Sequence, residues 1–75
     1  MEKKILSIMK EVFGTEDIDN TCSQKTCIQW DSMAQINLVI ELESSFDISL
    51  EPEEIGQMRD FKEVLHMVEK KVLNN

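Results

Sequence analysis

The chain reads WDSMAQINLVIELESSFDISL from residue 30 to residue 50, and this stretch decides both the fold and the candidate site. Its apolar residues recur at spacings of three and four, which predicts an amphipathic helix from about residue 32 to residue 45. Asp31 is a good N-cap, so Ser32 takes the first helical position. The first N–H groups of a helix lack intrahelical acceptors and the helix dipole is positive there. A phosphate ester on Ser32 would therefore be favoured.

Three further segments carry helical signals. Apolar residues at spacings of three and four over residues 5–13 predict a first helix, and Gly14 is a natural residue to end it. Pro52 predicts the start of a short third helix, which Gly56 is expected to close. Asp60 begins a capping-box pattern ahead of the apolar residues of a last helix.

Between the first two helices the helical pattern gives way to polar residues, which predicts a long loop over residues 15–30. We expect four residues, Ile18, Cys22, Cys27 and Ile28, to pin this loop to the core. No segment alternates with the period of a strand over a useful length. The predicted fold is all-α: a small four-helix bundle of three main helices plus one short helix, with a long loop between helices 1 and 2.

Composition excludes several classes of function. The chain has 75 residues, 15 acidic and 8 basic, and a formal net charge of -7. A length of this order permits one domain, and the negative charge would repel a nucleic acid backbone. No stretch approaches the ~20 apolar residues of a membrane span, and no signal-peptide pattern opens the chain. We therefore expect no nucleic acid partner, no membrane insertion and a cytoplasmic location.

Cys22 and Cys27 are the only cysteines. A disulfide across this short gap is geometrically allowed, but a reducing compartment favours free thiols. Without a nearby histidine the two thiols do not complete a zinc site. Asp17 and Asp19 begin like an EF-hand loop, but Cys22 stands where glycine is required and Ile28 where the bidentate glutamate belongs. We therefore expect no metal site.

Ser32 lacks the surroundings of a catalytic nucleophile. His66, the only histidine, falls on the predicted last helix, and no Gly-x-Ser-x-Gly turn surrounds the serine. Nothing in the sequence supplies a third member of a catalytic triad. We therefore expect no catalytic residues and no enzyme activity, and we interpret Ser32 as a residue that another enzyme modifies.

Residues 31–48 resemble the acyl carrier protein family, whose signature is Asp-Ser-Leu followed by a Leu-Glu-x-x-Phe-x-Ile run. The matching residues in this chain are Asp31, Ser32, Met33, Leu42, Glu43, Phe46 and Ile48. The resemblance implies a single acyl or peptidyl carrier domain over residues 1–75. It also implies that a phosphopantetheinyl transferase attaches 4'-phosphopantetheine from coenzyme A to Ser32, which makes the chain a phosphoprotein. Asp31 would help the transferase and its magnesium ion to find the serine.

The arm would carry acyl intermediates as thioesters between enzymes of fatty acid, polyketide or other specialised biosynthesis. By the same resemblance the second helix would bind loading and transfer enzymes that carry basic docking patches. The candidate partner-binding residues are Met33, Ile36, Asn37, Ile40 and Glu43. Spacing alone leaves the three apolar ones divided between core and interface. A shuttle of this kind is expected to be a monomer.

Departures from the family pattern alter the docking surface. Asn37 and Ser44 stand at positions where fatty-acid-synthesis carriers frequently have acidic residues. Trp30 stands where a small residue is common in the family. These changes favour a specialised carrier, as in polyketide, peptide or surface-glycan pathways, over housekeeping fatty acid synthesis. We expect Trp30 to hold the loop on the core, and the alternative is that it flanks the arm.

Two alternatives remain open from the sequence. A D-alanyl carrier, which works with an adenylating ligase and a membrane acyltransferase, belongs to the same family and fits the Asp-Ser-Met tripeptide. A non-carrier acidic helical interaction module is the alternative from another class. The sequence does not specify the cargo. A medium or long acyl chain would enter an interior lined by residues such as Phe46, Ile55, Phe61 and Leu65.

Overall fold

A computed structural model describes residues 1–73, and Asn74 and Asn75 lie outside the described range. The four helices are α1 (Glu2–Phe13), α2 (Ser32–Phe46), α3 (Pro52–Gln57) and α4 (Phe61–Leu73). Within the described range no strand forms, and the one isolated bridge is an antiparallel pair of Ser23 and Asp60. The prediction of an all-α bundle is confirmed, with the loop between α1 and α2 in the predicted place.

Glycine ends α1 as predicted. Gly14 adopts the left-handed conformation, with φ 68° and ψ 31°, and its N–H donates to the Lys10 carbonyl. Glycine reaches this conformation without the steric cost that a Cβ atom imposes. On the inner side of α1, three residues of the predicted stripe, Ile5, Met9 and Phe13, are buried.

The prediction that Gly56 closes the third helix is wrong. The helix continues to Gln57, and its C-cap is Met58, whose N–H donates to the Ile55 carbonyl at 3.1 Å. Met58 is fully buried, so side-chain packing rather than glycine conformation fixes the end of α3. Its start was predicted correctly, with Pro52 in the first turn after a Glu51 cap.

One of the two hydrogen bonds of the capping box predicted before the last helix is present. The carboxylate of Asp60 accepts a hydrogen bond from the Glu63 N–H at 2.8 Å. Helix α2 packs against both α1 and α4. The largest fully buried side chains come from all of these elements and from the end of α3: Ile5, Met9, Leu38, Leu42, Met58, Phe61, Val64 and Val68.

Two of the four expected loop anchors are buried and one is exposed. Ile18 and Cys22 are buried and Cys27 is partly buried, but Ile28 is 94% exposed, so the prediction for Ile28 is wrong. Ile28 lies in a turn closed by the Trp30 N–H and the Cys27 carbonyl at 3.0 Å. That turn leaves Ile28 at its tip because the larger Trp30 takes the buried position.

The expectation of free thiols is also corrected, because Cys22 and Cys27 are joined by a disulfide. The turn between them brings their Cα atoms to 6.0 Å, which lies in the range that a disulfide spans. A hydrogen bond from the Cys27 N–H to the Ser23 carbonyl at 2.8 Å closes the same turn. The Phe61 N–H donates to the Cys22 carbonyl at 2.9 Å and so ties the loop to α4.

Among residues 1–73, no helix combines the length and apolar character needed to cross a membrane.

Candidate functional site

Ser32 is the first residue of α2 and its side chain is exposed. Asp31 precedes it in an extended conformation, and the Asp31 carboxylate accepts a hydrogen bond from the Ala34 N–H at 2.9 Å. The Asp31 carbonyl accepts a second bond from the Gln35 N–H, also at 2.9 Å. These two bonds fix the direction in which α2 begins. They therefore hold the Ser32 hydroxyl at the positive end of a 15-residue helix.

A groove of about 460 Å³ opens beside Ser32. It is lined by Gln24, Trp30, Asp31, Ser32, Gln35 and Ile36. Two primary amides, an indole and an aliphatic side chain thus surround the serine. This mixture can contact both polar amide groups and apolar segments of a long flexible substituent.

Trp30 forms the inner wall of this groove. Its side chain is buried and packs on Phe13 of α1, with ring centroids 5.3 Å apart and an interplanar angle of 37°. The indole Nε1–H donates to Gln35 Oε1 at 2.6 Å. Trp30 therefore holds the loop on the core, as the sequence predicted, and in the same position it lines the groove at Ser32.

Gln35 was missed by the sequence reasoning. Its Nε2 donates to the Ile55 carbonyl at 3.0 Å and to the Met58 carbonyl at 3.3 Å, in addition to the bond that its Oε1 accepts. The only local signal is a polar residue three positions after Ser32 that becomes partly buried. Its partners lie 20 and 23 residues away, so helical spacing alone does not reveal them.

The apolar residues of the candidate partner surface lie outside the core. Met33 is 72% exposed, Ile36 59% and Ile40 55%, and these three residues form the α2 stripe. Asn37, also exposed, lines a second groove of about 240 Å³ between α1 and α2 together with Ile40. The stripe is an exposed apolar strip on an acidic chain, a composition that suits transient protein contacts.

Glu43 differs from the other candidate partner residues. It is partly buried, and its carboxylate accepts a hydrogen bond from the Leu50 N–H at 2.8 Å. This bond fastens the segment that follows α2, so Glu43 has a structural task. Its contact with basic partners stays a prediction.

The residues suggested as the lining of an acyl chamber fill the interior themselves. Phe61 is buried, while Phe46, Ile55 and Leu65 are partly buried and packed against the core. A long acyl chain would have to displace these side chains to enter. No cluster of three or more potential metal ligands occurs in the part of the chain that the structure describes.

The chain is similar in sequence to curated carrier proteins, although no family model matches it. It is 41% identical over 61 residues to the D-alanyl carrier protein of Lactococcus lactis subsp. lactis (strain IL1403). It is 39% identical over 61 residues to the D-alanyl carrier protein of Lactococcus lactis subsp. cremoris (strain MG1363). Each match covers 76% of this chain and 75% of the relative.

Solved structures of acyl carrier proteins share this fold. The solution structure of the holo acyl carrier protein from Geobacter metallireducens superposes with a TM-score of 0.88 at 23% identity, covering 97% of this chain and 86% of that one. The crystal structure of an acyl carrier protein from Thermotoga maritima gives a TM-score of 0.80 at 31% identity, covering 96% and 86%.

The fold and these relatives place the chain among the carrier proteins, which bear a covalently attached 4'-phosphopantetheine group. The chain belongs to the acyl carrier protein family. The groove at Ser32 fits such a group, because an exposed hydroxyl meets the positive end of α2 and side-chain amides line the adjoining wall.

Proposed function

We propose that Ser32 is the residue to which 4'-phosphopantetheine is attached. The observation that carries this proposal is the exposed Ser32 hydroxyl at the first position of α2, directly after an Asp31 cap bonded to the Ala34 N–H. The N-terminal N–H groups and the helix dipole favour the phosphodiester that attachment creates. Asp31 is close enough in sequence to guide the transferase and its magnesium ion, as the family signature implies.

When bound, the group supplies a thiol at the end of a long flexible arm, which holds cargo as a thioester. This chain's own residues contribute presentation rather than catalysis. Asp31 fixes the start of α2, and the exposed α2 stripe gives partner enzymes a surface to bind. We therefore infer that the chain catalyses no reaction itself, and that tethering raises the local concentration of cargo at each partner.

The partners in this proposal are a phosphopantetheinyl transferase and cargo-loading and cargo-transfer enzymes with basic docking patches. The formal net charge of -7 and the exposed α2 stripe support it, because they offer long-range attraction and a short-range apolar contact. Residues 1–75 act in it as a single carrier domain and a monomer. Asn37, Ile40 and Glu43 complete the docking surface, with Glu43 contributing through its exposed part.

The proposed location is the cytoplasm. Recovery of the protein in the cytosolic fraction of lysed cells is the expected result, and recovery with the membrane fraction would contradict this location.

The cargo we favour is a small aminoacyl group, with acyl intermediates of specialised biosynthesis as the second candidate. Two observations favour the first: the curated relatives are D-alanyl carrier proteins, and the interior is filled by side chains such as Phe61. A small polar cargo needs no interior chamber. Loading with D-alanine, ATP and a D-alanine-activating ligase, compared with fatty-acyl loading by an acyl-activating enzyme, separates the two by intact mass.

The attachment residue can be mapped by tandem mass spectrometry. After loading with coenzyme A, Mg²⁺ and a broad-specificity transferase, the disulfide is reduced and the protein is digested with trypsin. Cleavage after Lys25 and Arg59 releases residues 26–59 as one peptide. Fragment ions should place the added group on Ser32, and placement on Ser44 or Ser45 would contradict the proposal.

A further inference from the structure

Helix α3 is held to the rest of the molecule by few contacts. It has six residues, and none of them is buried. Its Glu54 forms a salt bridge with Lys71 of α4 at 2.8 Å. That bond, together with the Glu51 N–H, holds the pKa of the Glu54 carboxyl below its ordinary value. Ile55 packs partly against the core, and the buried Met58 follows directly after the helix. Any further bond to α3 therefore has a large share in fixing its position.

Gln35 supplies two such bonds from α2. Its Nε2 donates to the Ile55 carbonyl, which also accepts the Met58 N–H, and to the carbonyl of Met58, the C-cap of α3. Its Oε1 accepts from the Trp30 indole, which belongs to the segment leading into Ser32. The side-chain amide of Gln35 thus joins α3 to the loop segment at Trp30, which leads into the candidate attachment site.

We propose that Gln35 is a positioning residue for the attachment site, which holds the segment before Ser32, the groove beside it and α3 in one arrangement for a partner enzyme. This inference rests on the proposed function in that Ser32 is taken as the modified residue. Gln35 lines the same groove as Ser32. It lies on the side of α2 that faces α3.

The chemistry of the network requires an amide. Gln35 accepts one hydrogen bond and donates two, which no hydrocarbon side chain of similar size reproduces. An ionised glutamate accepts the Trp30 N–H but donates nothing, and it places a negative charge against two carbonyl oxygens. A protonated glutamate carries one O–H and restores one of the two donations. The Gln35→Glu variant therefore has a network that pH switches between broken and partly restored.

The experiment compares wild type with Gln35→Glu. At about pH 7.5 we expect the Ile55 and Met58 amides of the variant to exchange with solvent about tenfold faster, because two donated bonds are lost. The Trp30 indole N–H resonance should shift in the same spectra. At about pH 5, where more of the variant's carboxyl is protonated and one donated bond returns, the ratio of variant to wild-type exchange rates should fall towards one.

Kinetics of Ser32 modification distinguish positioning from stability alone. With a phosphopantetheinyl transferase at about pH 7.5, we expect the Gln35→Glu variant to show a KM about fivefold higher and a kcat within about twofold of wild type. Gln57→Glu is the matched control, because it adds the same charge to the exposed side of α3, outside the Gln35 network. Wild type measured over the same pH series controls for effects of the other carboxylates near this network, which belong to Asp31, Glu51 and Glu54.

Several outcomes would overturn the inference. Unchanged amide exchange in the variant would show that Gln35 does not hold α3. Faster exchange with an unchanged KM would leave Gln35 a purely structural residue. If Gln35→Glu fails to fold, Gln35→Met removes the same bonds without a charge and is held to the same exchange and KM criteria. If wild type is not modified on Ser32, the proposed function fails, while amide exchange still tests the link between Gln35 and α3.

Discussion

At the scale of single residues, neighbouring positions in the site have different roles. Asp31 uses its carboxylate to bond the Ala34 N–H, and this leaves the Ser32 side chain exposed at the first helical position. Both assignments follow from local sequence, because an N-cap and the residue after it are decided within one turn. Gln35 differs, because its role depends on carbonyls of residues 55 and 58.

Removing the Asp31 cap should weaken the start of α2. Asp31→Ala loses the bond to the Ala34 N–H and is expected to lower the free energy of unfolding by about 1 kcal/mol. Asp31→Asn keeps an acceptor oxygen and should stay close to wild type in stability while slowing Ser32 modification through loss of its charge. Urea denaturation and transferase kinetics on both variants measure the two effects. Equal stability of Asp31→Ala and wild type would contradict the cap.

At the scale of elements, α2 presents two different apolar sides. Leu38 and Leu42 are fully buried between helices, while Met33, Ile36 and Ile40 are exposed. Helical spacing alone left the three residues of the α2 stripe divided between core and interface. Only the packing of α1 and α4 against α2 decides which side is covered, and that depends on the whole chain.

The two sides should respond differently to truncation. Leu38→Ala removes fully buried methyl groups and is expected to lower the free energy of unfolding by about 2 to 5 kcal/mol. Ile36→Ala, on the exposed side, should change it by no more than about 0.5 kcal/mol. Ile36→Ala should instead raise the transferase KM. Chemical denaturation and kinetics check the pair, and a large stability loss in Ile36→Ala would place that residue in the core.

The loop between α1 and α2 carries a disulfide, where the sequence analysis favoured free thiols. Closing residues 22–27 is expected to stabilise the fold by about 2 kcal/mol through restriction of the unfolded chain. Reduction should therefore lower the free energy of unfolding by up to this amount. Helix content should be retained, because the Cys27 N–H and the Ser23 carbonyl still close the turn. Denaturation with and without a phosphine reductant tests this, and loss of helical circular dichroism on reduction would contradict it.

At the scale of the whole molecule, the sequence predicted the order of helices and the all-α class, because apolar spacing and capping residues such as Asp60 act locally. The predictions from sequence failed where residues that are far apart in the chain pack together. Ile28 is exposed because Trp30 reaches Phe13 of α1, and the end of α3 is set by burial of Met58 rather than by Gly56. These outcomes depend on tertiary packing, which a single sequence does not display.

The net charge of -7 acts on the whole surface rather than at one contact. Attraction to basic partners should weaken when salt shortens the screening length, so the transferase KM should rise about threefold between ~50 and ~300 mM salt. The kcat should change little, because chemistry occurs after binding. Steady-state kinetics over this range, with an uncharged osmolyte as control, checks the effect. A KM independent of salt would contradict electrostatic docking.

The most direct test of the carrier assignment is the intact mass of the protein after incubation with coenzyme A, Mg²⁺ and a broad-specificity phosphopantetheinyl transferase. Wild type and the matched control Ser44→Ala should each gain a single phosphopantetheine group, and Ser32→Ala should gain none while keeping its helical circular dichroism. Addition to folded Ser32→Ala, or no addition to folded wild type with several transferases, would contradict attachment at Ser32.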